Sequence, residues 1–214
     1  MLKKTLIGLV VVVVISFGYY QVWFLRQPSR NIPNDESIFV SPANGKVAAV
    51  THWDKEKLAW NKDAGVVEVL TNDIGEKGWL IAIEMDITNV HFQRAPASSQ
   101  LLSEEYTPGQ FNNALIQTNP FGFRVENERN TLLFQTPEGI KYKVVQIAGL
   151  LARRIEDYVE PGQTVKQGEV IGLIKLGSQV AIILPENMEP MVKAGDKVVD
   201  GESILATIKP FSLQ

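Results

Sequence analysis

Val159-Glu160-Pro161-Gly162-Gln163-Thr164-Val165-Lys166-Gln167-Gly168-Glu169-Val170-Ile171 is matched 33 residues later by Val192-Lys193-Ala194-Gly195-Asp196-Lys197-Val198-Val199-Asp200-Gly201-Glu202-Ser203-Ile204. The shared frame is a valine, a glycine, a second valine, a Gly-Glu pair and an isoleucine. Each copy puts glycine where a tight turn needs positive φ, and a strand follows. Working outward, Ile38–Val40, Lys46–Val50, Val66–Leu70 and Trp79–Ile83 are short runs of strand formers between turn residues. Thr131–Thr136 and Lys141–Gln146 flank Pro137-Glu138-Gly139, which predicts a hairpin. Ala148–Tyr158 is the best helix candidate after the N-terminus.

The repeated frame also occurs in barrel-sandwich modules such as biotinyl and lipoyl carriers. Two similar β-turns in one β-rich domain would produce the same pattern. Both readings lead to one fold class: mostly β (α+β), with interlocked antiparallel sheets and barrel-sandwich-like C-terminal hairpins.

Thr5 to Leu25 is uncharged and almost wholly apolar. At a rise of about 1.5 Å per residue it can cross a hydrocarbon core of about 30 Å. Tyr19, Tyr20 and Trp23 gather at its end, as an interfacial aromatic belt would. A cleaved signal peptide is the competing reading, but no small-x-small cleavage site follows and the stretch is long for one. Lys3 and Lys4 precede the span and Arg26 and Arg30 follow it, so the charge rule for orientation nearly cancels. Gln27–Asp35, with two prolines, reads as an irregular linker. The expected organisation is an anchor over 1–25, a linker over 26–37 and one domain over 38–214.

The 214 residues carry a net charge of −3, which argues against nucleic-acid binding by bulk electrostatics. There is no cysteine, so thiolate nucleophiles and disulfides are excluded. His52 and His91 are the only histidines, and no metal site is expected. No glycine-rich phosphate loop points to pyridoxal phosphate. His52, in Thr51-His52-Trp53-Asp54, reads as structural or exposed.

One Gly-Ser pair stands out. Ile174-Lys175-Leu176-Gly177-Ser178-Gln179-Val180-Ala181 places it between strand-like runs. Upstream lie Gln146–Ile155, then Asp86-Ile87-Thr88-Asn89-Val90-His91-Phe92-Gln93-Arg94-Ala95-Pro96. In that order these segments resemble the phosphatidylserine decarboxylase proenzymes. Tyr106-Thr107-Pro108-Gly109-Gln110-Phe111-Asn112-Asn113-Ala114 and Glu126-Asn127-Glu128-Arg129-Asn130 are further, less specific matches. The resemblance runs from about Arg30 to the end.

It implies a chain that cuts itself between Gly177 and Ser178 into 1–177 and 178–214, with both pieces staying in one fold. Ser178 would attack the Gly177 carbonyl and end as a covalent pyruvoyl cofactor. Decarboxylation of an amino acid needs an electron sink conjugated to the amine, and a pyruvoyl ketone supplies it through a Schiff base. The resemblance makes His91 the base for maturation and turnover; a hydrogen-bonded strand histidine is the bland alternative. The implied substrate is phosphatidylserine, or a related serine-headed membrane phospholipid, converted to the ethanolamine lipid and CO2. The implied place is the cytoplasmic face of the inner membrane. A homo-oligomer stays open.

The chain departs from the family at one position. The family has Ser-Pro-Ala-Asp-Gly-Lys-Val, whose aspartate orients and charges the histidine; here it is Ser41-Pro42-Ala43-Asn44-Gly45-Lys46-Val47. Asn44 accepts a hydrogen bond but cannot stabilise imidazolium with a full charge. Asp86 or Glu84 could substitute. Asn44-Gly45 also reads as a type I′ turn. Arg153 and Arg154 would meet the lipid phosphate or the substrate carboxylate, or pair with Glu156 and Asp157. Two rival readings remain: an uncleaved, degenerate member of the family, and a membrane-anchored lipoyl-like adaptor without catalysis.

Overall fold

The computed structural model describes residues 2–58, 64–110, 112, 121–124, 126–149, 154–175 and 178–209. An apolar helix, α1 (Leu2–Gly18), runs on into a π-helical turn over Tyr19–Phe24. Together Lys3–Phe24 is long and apolar enough to cross a membrane. Strands follow in chain order: β1 (Ile38–Val40), β2 (Gly45–Asp54), β3 (Lys77–Met85), β4 (Phe92–Arg94), β5 (Ser99–Thr107), β6 (Arg129–Gln135) and β7 (Lys141–Ala148). Then come β8 (Ile155–Asp157), β9 (Thr164–Val165), β10 (Val170–Ile174), β11 (Ser178–Pro185), β12 (Met188–Pro190), β13 (Lys197–Val198) and β14 (Ile204–Ile208). Two short helices, α2 (Lys55–Leu58) and α3 (Ala64–Thr71), lie between β2 and β3.

The fold class read from the sequence is the one observed, and its symmetry is stronger than the repeat suggests. The main sheet has the order β13-β2-β3-β11-β7-β6-β5-β9, and two small sheets have the orders β1-β14-β12 and β4-β10-β8. Read from the two ends, the main sheet matches itself: β13 with β9, β2 with β5, β3 with β6, β11 with β7. The two small sheets correspond in the same way.

The repeated glycines hold the halves together. Gly162 and Gly195 have φ of 94° and 97°, and Gly168 and Gly201 have 78° and 74°. The Gly162 and Gly195 amides donate to Leu101 and Val47 carbonyls, and the Gly168 and Gly201 amides to Ala95 and Ser41 carbonyls. The four acceptors expose a second repeat, Ser41-Pro42-Ala43 and Ala95-Pro96-Ala97, which is too short to stand out in sequence.

β11 is central, which accounts for its unbroken apolar run. Val180, Ile182 and Leu184 enter one core with Phe39, Leu132, Phe134 and Tyr142. Ala181 and Ile183 enter a second core with Trp53, Val67, Leu70 and Phe123.

Three local expectations are corrected. Val66–Leu70 is helical, within α3, because Val67 and Leu70 share the face that packs on the second core while Val69 is exposed. That burial overrides the strand preference of a valine-rich run. Ala148–Tyr158 is not a helix in its described part. Ala148 closes β7, and Ile155–Asp157 takes up the ladder offered by the edge of β10. Gly45 does not have positive φ and so makes no type I′ turn. It starts β2, and a Cβ there would lie 2.2 Å from the Glu84 carbonyl oxygen. The glycine serves close strand approach.

Residues 26–35 have no regular structure but are pinned. Arg30 and Arg94 both pair with the fully buried Asp200, at 2.5 and 2.8 Å.

Candidate active site

Ser178 opens β11 and sits between Met85, at the end of β3, and Ala148, at the end of β7. Its side chain is fully buried, and Oγ has no hydrogen-bond partner among the described residues. Leaving a buried hydroxyl unpaired costs about 1–3 kcal/mol. Gly177 lies outside the described residues.

His91 reaches the same corner by a closed circuit. The chain leaves Met85, opposite Ser178, and returns at His91, whose carbonyl accepts from the Ile174 amide at 3.2 Å. Ile174 ends β10, and Ser178 follows four residues later. The loop before His91 is self-bonded. Asp86 Oδ1 accepts from the Thr88 amide at 2.8 Å, and the Asp86 amide donates to Asn89 Oδ1 at 2.8 Å.

The imidazole is fully buried. Its Nδ1 lies 3.0 Å from the Asn89 carbonyl oxygen. A carbonyl only accepts, so we assign the proton to Nδ1, which makes Nε2 the basic nitrogen. Burial pushes His91 down to about 4. The Asn89 bond and the Asp86 carboxylate oppose that, and the Arg26 charge adds to it.

The two carboxylates that could stand in for a charged residue 44 differ. Asp86 acts on His91 through its charge, and its own pKa is lowered, chiefly by Thr88. Glu84 is 3.8 Å from Lys46. Asn44 accepts from Asn89 Nδ2 at 3.1 Å and so reaches the histidine through Asn89.

Arg153 lies outside the described residues. Arg154 is exposed, and its carbonyl accepts from the Lys175 amide at 3.1 Å. Glu156 pairs with Lys175 at 2.6 Å and Asp157 accepts from Asn130 at 2.6 Å, so neither pairs with Arg154 among the described residues. His52 is partly exposed and pairs with Glu186 at 2.6 Å.

Several polar residues at this corner escaped the sequence reading. Gln179 is fully buried; it accepts from the Arg124 amide and donates to the Gly122 carbonyl. Gln93 donates to the His91 carbonyl at 2.6 Å, and Gln146 donates to Gln93. Asp157, near Glu104, is raised to about 6, mainly by burial. The available signal was polar residues inside otherwise apolar strands, as in Gln179-Val180-Ala181-Ile182.

A buried hydroxyl with no partner among the described residues and a histidine held neutral with a defined basic nitrogen can do nucleophilic chemistry on a neighbouring carbonyl. The phosphatidylserine decarboxylase family model matches residues 17–206. A phosphatidylserine decarboxylase proenzyme from Geotalea uraniireducens is 37% identical over 194 residues, covering 88% of this chain and 79% of its own length. Proenzymes of the same name from Ruegeria pomeroyi and Erythrobacter litoralis are 36% and 38% identical. They cover 87% and 86% of this chain, and 78% and 72% of their own lengths.

Proposed function

This chain belongs to the phosphatidylserine decarboxylase family, and from that premise we propose that it converts the serine headgroup of a membrane phospholipid to ethanolamine and CO2, using a group made from its own Ser178. The observation that carries the reading is the buried Ser178 Oγ, which has no partner among the described residues, at the head of the central strand. A hydroxyl whose ordinary role was structural would be bonded there.

Maturation would proceed without an external oxidant. Ser178 Oγ adds to the Gly177 carbonyl and the peptide nitrogen leaves, giving an ester. His91 Nε2 takes the hydroxyl proton and returns it to that nitrogen. Loss of the Ser178 α-proton then expels the Gly177 carboxylate. The remaining dehydroalanine takes up water and releases ammonia, which leaves a pyruvoyl end at position 178. When present, this group supplies a ketone that condenses with the substrate amine and accepts the electron pair left by CO2.

Chain 178–214 would remain in place after the cut, because β11 pairs with β3 and β7, β13 with β2 and β14 with β1. Gln93 and Gln146 keep the His91 loop in register. The exposed Arg154 would meet a headgroup phosphate or carboxylate. Residues 1–25 would anchor the 38–214 domain to the inner membrane through linker 26–37, with catalysis on the cytoplasmic face.

Intact mass and N-terminal analysis of the purified protein test this. The expected result is two chains, 1–177 and 178–214, the smaller with a blocked N-terminus. One unbroken chain after long incubation would make this an uncleaved relative, with Asn44 as the first suspect.

A further inference from the structure

The membrane helix does more than end near the site. Its π-helical turn, closed by Leu25 N to Tyr20 O at 3.1 Å, rotates Phe24 toward the domain while Val22 and Trp23 stay exposed. Phe24 is fully buried, and its ring centroid is 4.2 Å from that of His91. Tyr20 stacks on Phe24 at 5.5 Å. Two further bonds tie the helix end to the loop that carries His91. Tyr19 Oη donates to the Ile87 carbonyl at 2.8 Å, and Arg26 Nη2 donates to the Thr88 carbonyl at 2.7 Å. Leu25 packs with Val90, Phe92 and Leu173.

We propose that Phe24, at the end of the membrane helix, is a positioning residue of the active site: it covers the His91 imidazole and, with Tyr19 and Arg26, fixes the loop that presents it. This rests on the reading of His91 as the base. π-helical turns inside α-helices occur frequently at functional sites. An aromatic cover excludes water, which keeps the imidazole neutral and its nitrogen directed. Among the described residues, Asp86 from its own loop and Arg26 from the helix end act on that imidazole by charge. The anchor and the catalytic loop are therefore one unit.

The chain has two histidines, so ring-labelled full-length protein in micelles gives two imidazole signals, with His52 as an internal folding control. Phe24→Ala should move the His91 midpoint up by about one pH unit or more, toward the ordinary histidine value. With the midpoint at the ordinary value of about 6.5, self-cleavage would be about tenfold slower at pH 5.5 than at pH 8, because a base works only when unprotonated. Phe24→Leu, which keeps apolar cover, should restore most of both effects. A His91 midpoint unchanged in a folded Phe24→Ala protein overturns the proposal. If Phe24→Ala does not fold, Arg26→Gln is read instead: an upward movement supports the proposal, and an unmoved midpoint overturns it. The titration needs no cleavage, so a parent chain that never processes would sink the proposed function and leave this test readable.

Discussion

The backbone carbonyl oxygen of Asn89 lies 3.0 Å from Nδ1 of His91, and the side-chain Nδ2 of the same Asn89 donates to Asn44 Oδ1. A backbone group thus sets the tautomer. Asn44 supports that backbone from one step away. Replacing Asn44 by Ala should slow self-cleavage by less than about tenfold, whereas Asn44→Asp should speed it, because the carboxylate keeps the Asn89 bond and adds charge that stabilises imidazolium. Asp86→Asn should slow it more than Asn44→Ala. Timed denaturing gels of the four proteins rank these effects, and an Asn44→Asp rate equal to the parent would show that residue 44 is electrostatically silent.

Acid should weaken this protein through His91. Its folded pKa is about 4 against an ordinary 6.5. Between those values the unfolded chain binds a proton that the folded chain refuses, so stability is present above 6.5 and drains away as pH falls toward 4. The full swing is about 3 kcal/mol. A His91→Gln variant should lose that slope between pH 7 and 4.5, as read by thermal unfolding in micelles. An equal slope in both proteins would assign acid sensitivity to other groups.

Asp200 is fully buried between Arg30 and Arg94. Removing it strands two guanidinium groups of which little is exposed, at a cost of about 3–5 kcal/mol. Asp200→Ala should therefore unfold at markedly lower denaturant. Arg30→Ala, which leaves Asp200 paired with Arg94, should lose less. Equal losses would mean that the linker contact carries the whole effect.

Much of this architecture was legible because local signals agreed with one another. The paired glycine frames, the Pro137-Glu138-Gly139 hairpin and the apolar β11 run all lie where the pattern puts them. The misses share a cause. Val66–Leu70 became helix, and Ala148–Tyr158 did not, because each answered to a distant surface: the second core for Val67 and Leu70, the edge of β10 for Ile155–Asp157. At the site, Ser178 and His91 were marked by their surrounding motifs. Phe24 was invisible, because an aromatic residue at the end of an apolar span reads as interfacial, and nothing local shows that it turns inward to meet residue 91.

Ile87 is 48% exposed on the very loop that leads to His91, and its carbonyl holds Tyr19 of the membrane helix. Tyr158 and Trp23 are exposed as well, and all three are large and apolar. With the apolar helix as the proposed anchor, the Tyr19 contact would bring Ile87 to headgroup depth, where an apolar side chain enters the interface and a charged one is repelled. Ile87→Asp should lower decarboxylation of vesicle-embedded lipid severalfold while leaving thermal stability nearly unchanged, since the side chain supports no core. With a short-chain lipid dispersed in detergent the same variant should work at close to the parental rate, because no bilayer has to be approached. A parallel loss in both assays would move Ile87 from the membrane contact to the catalytic loop itself, and the loop would then have to be seated differently against the bilayer.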